Sequence, residues 1–97
     1  MKYSIFFPTP LDQLDKVNDN VDVCIQLENG KQYTFVVATP SNLQNLMKKD
    51  RVSFIRPCSP FLIVEELTEN NVYSVLEEVM KDPVLSHVYG DDLWIQD

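Results

Sequence analysis

Nucleophilic chemistry in this sequence would have to be built from two thiols and one imidazole, because Cys24, Cys58 and His87 are the whole supply. A cysteine enzyme needs a thiol, a base within hydrogen-bond reach and a group that orients that base. Cys24 lies in the alternation Val21-Asp22-Val23-Cys24-Ile25, which suits a small residue packed inside a sheet. Cys58 lies in Pro57-Cys58-Ser59-Pro60, a turn or sheet edge, since proline has no amide to give to a ladder. Neither cysteine stands in a nucleophile motif, and His87 falls on the polar side of a short helical turn marked by Val84 and Val88. With 33 residues between them, the cysteines have no metal-ligand spacing, and both are expected as reduced thiols.

Carboxylates come in adjacent pairs, Glu65-Glu66, Glu77-Glu78 and Asp91-Asp92. General acid–base work needs carboxyls that converge on one substrate atom, whereas neighbours in sequence point to different faces of a helix or strand. Asp91, Asp92 and Asp97 lack the twelve-residue loop with central glycine that an EF-hand requires. A glycine-rich phosphate loop is ruled out by having only Gly30 and Gly90. The expectation is therefore no catalytic residue, no metal and no cofactor.

What the charges do offer is a field. From Glu65 onward there are nine acidic side chains against one basic, Lys81; before it there are six acidic and seven basic. The two parts carry −8 and +1, which together give the formal −7. An acidic end on a nearly neutral body disfavours nucleic acid, whose phosphates need a basic face. The local basic cluster, Lys48, Lys49, Arg51 and Arg56, is interrupted by Asp50 and reads as solvated surface, or as a partner for the acidic end of a second copy. Two readings of the acidic end stand side by side. In one it gives solubility, and Leu93, Trp94 and Ile95 fold back to cap the core. In the other it docks a basic protein, with Tyr73, Tyr89 and Trp94 as aromatic anchors and Glu77, Glu78, Asp91 and Asp92 supplying the attraction.

The elements that must hold these residues follow from periodicity. Residues 2–7 read as a strand ending at Pro8. Thr9-Pro10 opens a short helix, with Leu11, Leu14 and Val17 turned inward. Val21, Val23, Ile25 and Leu27 alternate with polar partners, and Asn29-Gly30 supplies a tight turn to a return strand over 31–38. Thr39-Pro40 starts a second helix to about Lys49, facing Leu43, Leu46 and Met47 inward. Residues 51–56 read as strand, and the apolar run in 61–65 as a strand buried on both faces, hence central. Thr68 caps the main helix, whose inward stripe is Val72, Val75, Leu76, Val79 and Met80, with Glu77 and Lys81 paired outside. Asp82-Pro83 restarts a helical turn that Gly90 ends, and 91–97 is an acidic tail.

The fold expected is one α+β domain over 1–97: a single antiparallel or mixed sheet of about four to five strands, helices mainly on one face. No apolar run is longer than the four residues of Phe61-Leu62-Ile63-Val64, too short to cross a membrane. The opening residues begin like a signal peptide, but Pro8 cuts the apolar stretch, so a cytoplasmic location is expected. The hairpin Val21-Asp22-Val23 … Leu27-Glu28-Asn29-Gly30-Lys31 … Tyr33, then Thr39-Pro40 … Asn42-Leu43 … Leu46-Met47, and Ile63-Val64-Glu65-Glu66-Leu67-Thr68-Glu69-Asn70 resemble small uncharacterised bacterial α+β proteins, some of them immunity-protein-like. The resemblance spans roughly 20–82 and departs at Pro57-Cys58-Ser59-Pro60, where several relatives carry an aromatic-rich segment. It implies a non-enzymatic acidic module that binds a basic protein partner, such as a toxin. The alternative is a structural or regulatory domain that pairs with a second copy of itself.

Overall fold

The computed structural model describes residues 3–55, 57 and 59–82. The chain runs β1 (Tyr3–Phe6), a 3₁₀ turn (Leu11–Gln13), β2 (Asn20–Leu27), β3 (Gln32–Ala38), α1 (Pro40–Asp50), β4 (Phe61–Ile63) and α2 (Glu69–Met80). The strands form one mixed sheet in the order β1-β2-β3-β4. The first three pair antiparallel; β4 joins β3 in parallel after the α1 crossover, with Val36 opposite Phe61 and Val37 opposite Leu62. This is the α+β, single-sheet architecture that the periodicities predict.

The β2–β3 hairpin follows the alternation residue by residue. Val21, Val23, Ile25 and Leu27 are buried, as are Phe35 and Val37 opposite them. Its loop differs from a two-residue turn. Leu27 N–H donates to Lys31 O (2.8 Å) and Gly30 N–H to Leu27 O (3.0 Å), so Glu28, Asn29 and Gly30 form the loop. Gly30 has φ +89°, whereas Asn29 is not left-handed and instead accepts from Lys31 N–H through Oδ1 (3.0 Å). A three-residue loop with glycine in the left-handed position is the next commonest hairpin closure.

One face of the sheet meets α2. Val72, Leu76 and Val79 are buried against Val23, Ile25, Phe35, Val37 and Leu62, and Val75 and Met80 pack at the margin. Thr68 caps the helix by accepting from Asn71 N–H at 3.2 Å, as its sequence position predicts. The outer pair differs: Lys81 reaches Glu78 at 3.2 Å rather than Glu77, and with both side chains mostly exposed it contributes little.

α1 has a different status. Thr39, fully buried, accepts from Asn42 N–H (3.3 Å) and Pro40 occupies the first turn, but no α1 side chain is fully buried and none joins the core. Leu43, Leu46 and Met47 are only half-buried. Polar ties attach the helix instead: Asn20 Nδ2 donates to Asn42 Oδ1 at 2.9 Å, and Asn45 Nδ2 to Asn18 Oδ1 at 2.8 Å.

Three further expectations are corrected. Thr9-Pro10 opens a single 3₁₀ turn with no side-chain cap, and Val17 is 49% exposed, because the chain straightens at Leu14. Among the described residues of 51–56 there is no strand: Arg51 takes φ 57°, ψ 42° and the chain turns away from the sheet. β4 is an edge strand and not a central one. Its apolar run is divided, with Leu62 in the core, Ile63 54% exposed and Phe61 half-buried on the side opposite Leu62.

Candidate functional site

α2 carries two of the acidic pairs' members where a partner can reach them. A helix that buries Val72, Leu76 and Val79 must turn Asn70, Tyr73, Ser74, Glu77 and Glu78 outward, and all five are exposed. Glu65, Glu66 and Glu69 are exposed just before and at its start. Tyr73 has a second role: its ring stacks on Phe7 (centroids 6.1 Å apart, planes at 27°), which fastens the exit of β1 to α2. It still leaves 42% of its surface to solvent, so the aromatic is anchored and presented together. Glu77 borders a shallow hollow with Tyr3, Met80 and Lys81. Of the residues singled out in the sequence, Tyr73, Glu77 and Glu78 are all exposed on α2, but Tyr73 and Glu77, one turn apart, lie toward β1 with Phe7 and Tyr3, whereas Glu78 lies on the other flank beside Val64 and Glu65. Tyr89, Asp91, Asp92 and Trp94 lie outside the described residues, as do Arg56, Cys58, His87 and the helical turn after Pro83.

A second feature was missed by sequence reasoning. Leu46, Met47, Asp50, Val52, Phe54, Ile55, Ser59 and Phe61 line an open groove of about 490 Å³, within the range of ligand and peptide sites. Its geometry starts at the end of α1. Arg51 N–H donates to Lys48 O (3.2 Å) and Val52 N–H to Met47 O (3.0 Å), the paired bonds of a Schellman motif. That motif brings the residue after the left-handed position back over the last turn, which is why Val52 and Met47 share the wall. Val52 and Phe54 remain 46% and 61% exposed. Lys48, Lys49 and Arg51 are exposed alongside. The signal for this groove was present in the residues taken for a strand at 51–56, next to a basic run.

The thiol reading finds no support in the described residues. Cys24 is a free, half-buried thiol whose Sγ lies 3.8 Å from Thr34 Oγ1 across the hairpin, a contact at the limit for sulfur. Among the described residues no cluster of histidine, cysteine or carboxylate side chains could hold a metal, and no helix is long and apolar enough to cross a membrane. Comparison with protein-family models, with curated proteins and with solved structures finds no match. The described residues define a small mixed-sheet α+β protein with an acidic helix face and an apolar groove.

Proposed function

We propose that this chain is a non-enzymatic, cytoplasmic binding module that occludes a basic protein partner through the exposed face of α2, in the manner of an immunity or inhibitor protein. The observation that carries the reading is the presentation of Tyr73 between Phe7 and solvent, with Glu77 and Glu78 exposed on the same helix. Acidic side chains around a fixed aromatic raise the encounter rate with a cationic surface, while the ring supplies burial once contact is made. Tyr89, Asp91, Asp92 and Trp94, which the sequence reading assigns to the same surface, lie outside the described residues. The test is to recover basic binders on the immobilised protein at low and high salt, then measure their association. Charge reversal by Glu77→Lys and Glu78→Lys should slow association about tenfold or more at low salt. Rates unchanged by both substitutions would remove the reading.

A second reading, a self-associating structural or regulatory domain, is favoured by one observation: β4 is an edge and Ile63 on it is 54% exposed. Light scattering separates the two. A dimer that persists at high salt supports pairing through that edge, and a monomer supports the inhibitor reading.

A further inference from the structure

The tip of the β2–β3 hairpin holds the one asparagine–glycine pair in the chain, a pair whose backbone can attack its own side chain. Of the two glycines, Gly30 follows Asn29 and Gly90 follows Tyr89, so every other asparagine precedes a residue with a β-carbon. There a side chain crowds the amide nitrogen that would have to reach the carboxamide carbon. Asn29 and Gly30 are both exposed, and a β-carbon placed on Gly30 would meet nothing within 4 Å, so water has free access to the pair.

The loop prepares one half of this reaction and holds back the other. Asn29 Oδ1 accepts from Lys31 N–H at 3.0 Å, which turns the carboxamide along the chain past Gly30 and draws electron density from its carbon. The same donor would stabilise the oxyanion formed when a nucleophile adds to that carbon. The nucleophile is the nitrogen of Gly30, and its N–H is engaged with Leu27 O at 3.0 Å. While it donates there it keeps its proton, so attack waits for that bond to break. The Oδ1 contact involves residues 29–31 alone, and it can persist when the turn closed on Leu27 opens.

We propose that Asn29 deamidates spontaneously through Gly30, with the hydrogen bond from Gly30 to Leu27 as the latch that sets the rate. Once the latch opens, the Gly30 nitrogen gives its proton to hydroxide and bonds to Asn29 Cγ. The Cγ–Nδ2 bond breaks, and the leaving amide takes a proton from water and departs as ammonia, which regenerates the hydroxide. Water then adds to one carbonyl of the five-membered imide and breaks that carbonyl's bond to nitrogen. Opening at the side-chain carbonyl gives aspartate, and opening at the backbone carbonyl gives isoaspartate, with the chain running through Cγ. One water enters, one ammonia leaves, and nothing is oxidised or reduced. The new carboxylate takes the formal charge from −7 to −8. Aspartate keeps an acceptor for Lys31 N–H, whereas isoaspartate adds a backbone carbon to a loop whose length sets the pairing of Leu27 with Lys31. This inference goes beyond the α2 reading and needs no partner.

The full chain is incubated at mildly alkaline pH, folded and unfolded in guanidinium chloride, beside a peptide of residues 25–34, and mapped by mass spectrometry. The expected result is a one-dalton gain at residue 29, located by fragmentation, that becomes three daltons in water enriched in heavy oxygen. Opening one hydrogen bond of ordinary net strength makes conversion about two- to twelvefold slower in the folded chain than in the peptide. The unfolded chain should match the peptide. Asn29→Gln, whose longer side chain must close a six-membered ring, should show no gain over the same time. A folded chain that converts as fast as the peptide would overturn the latch. A folded chain untouched when the unfolded one is fully converted, or one that gains mass first at another asparagine, would overturn the site. Each of these leaves the α2 reading standing, since that is measured by association with a partner.

Discussion

Thr39 is the one buried polar side chain among the described residues, and replacing it by valine isolates what its hydroxyl does. Valine keeps the branched shape, so burial is preserved and only hydrogen bonding changes. The hydroxyl accepts from Asn42 N–H at 3.3 Å and reaches Asp19 O at 3.5 Å. The second contact is at the limit of a hydrogen bond and should add little. Losing a threonine cap costs about 1 kcal/mol, within a range of about 0.5–2. Asn42 is half-buried, so its amide regains some water, which holds the cost near the centre of that range. With a urea slope of about 1 kcal/mol per molar, the unfolding midpoint should drop by about 1 M. The loss should also be local. α1 has no fully buried side chain to hold it once its cap is gone, so its amides should exchange faster by a larger factor than those of α2, which gain only what the lower global stability gives. A midpoint equal to that of the wild type, or exchange that rises equally in both helices, would refute the view that α1 hangs on its cap and polar ties.

Two other substitutions probe the turns. Gly30→Ala should cost about 1 kcal/mol and lower the melting temperature by about 4–8 °C, because φ is +89° although a β-carbon there would meet nothing within 4 Å. Arg51→Gly should do the reverse, raising stability by about 0.5–1 kcal/mol in urea titration by relieving the left-handed cap.

How much of this was legible depended on whether neighbours in sequence decide the outcome. The alternation of β2 and the stripe of α2 are set by residues two, three or four apart, and the structure places every one of them inward. The threonine caps of both helices were readable for the same reason. The run Phe61-Leu62-Ile63-Val64 was not, because apolar content says that a residue avoids water without saying which surface shields it. There Leu62 and Val64 go to the core, Phe61 to the groove wall and Ile63 to the open edge. Val52, Phe54 and Ile55 misled in the same manner, as their order resembles a strand while a left-handed residue before them redirects the chain. Lys81 chose Glu78 over Glu77 because both are solvated and nearly equivalent in energy. Of the candidate site, the α2 members were legible from helical spacing. The groove depends on segments brought together by the crossover, which spacing does not encode.

β4's place at the rim has a bearing on how this protein survives at high concentration. The apolar run Phe61-Leu62-Ile63-Val64 includes a strand that has no neighbour on its outer side among the described residues, and such an edge can template another chain's strand and nucleate aggregates. The run is guarded on both sides. Pro60 denies the ladder a donor just before β4, Glu65 and Glu66 set like charges just after it, and the strand itself is only three residues long. Those flanking residues act as gatekeepers against cross-β stacking, which gives a protective purpose to a proline and an acidic pair that take no part in the core.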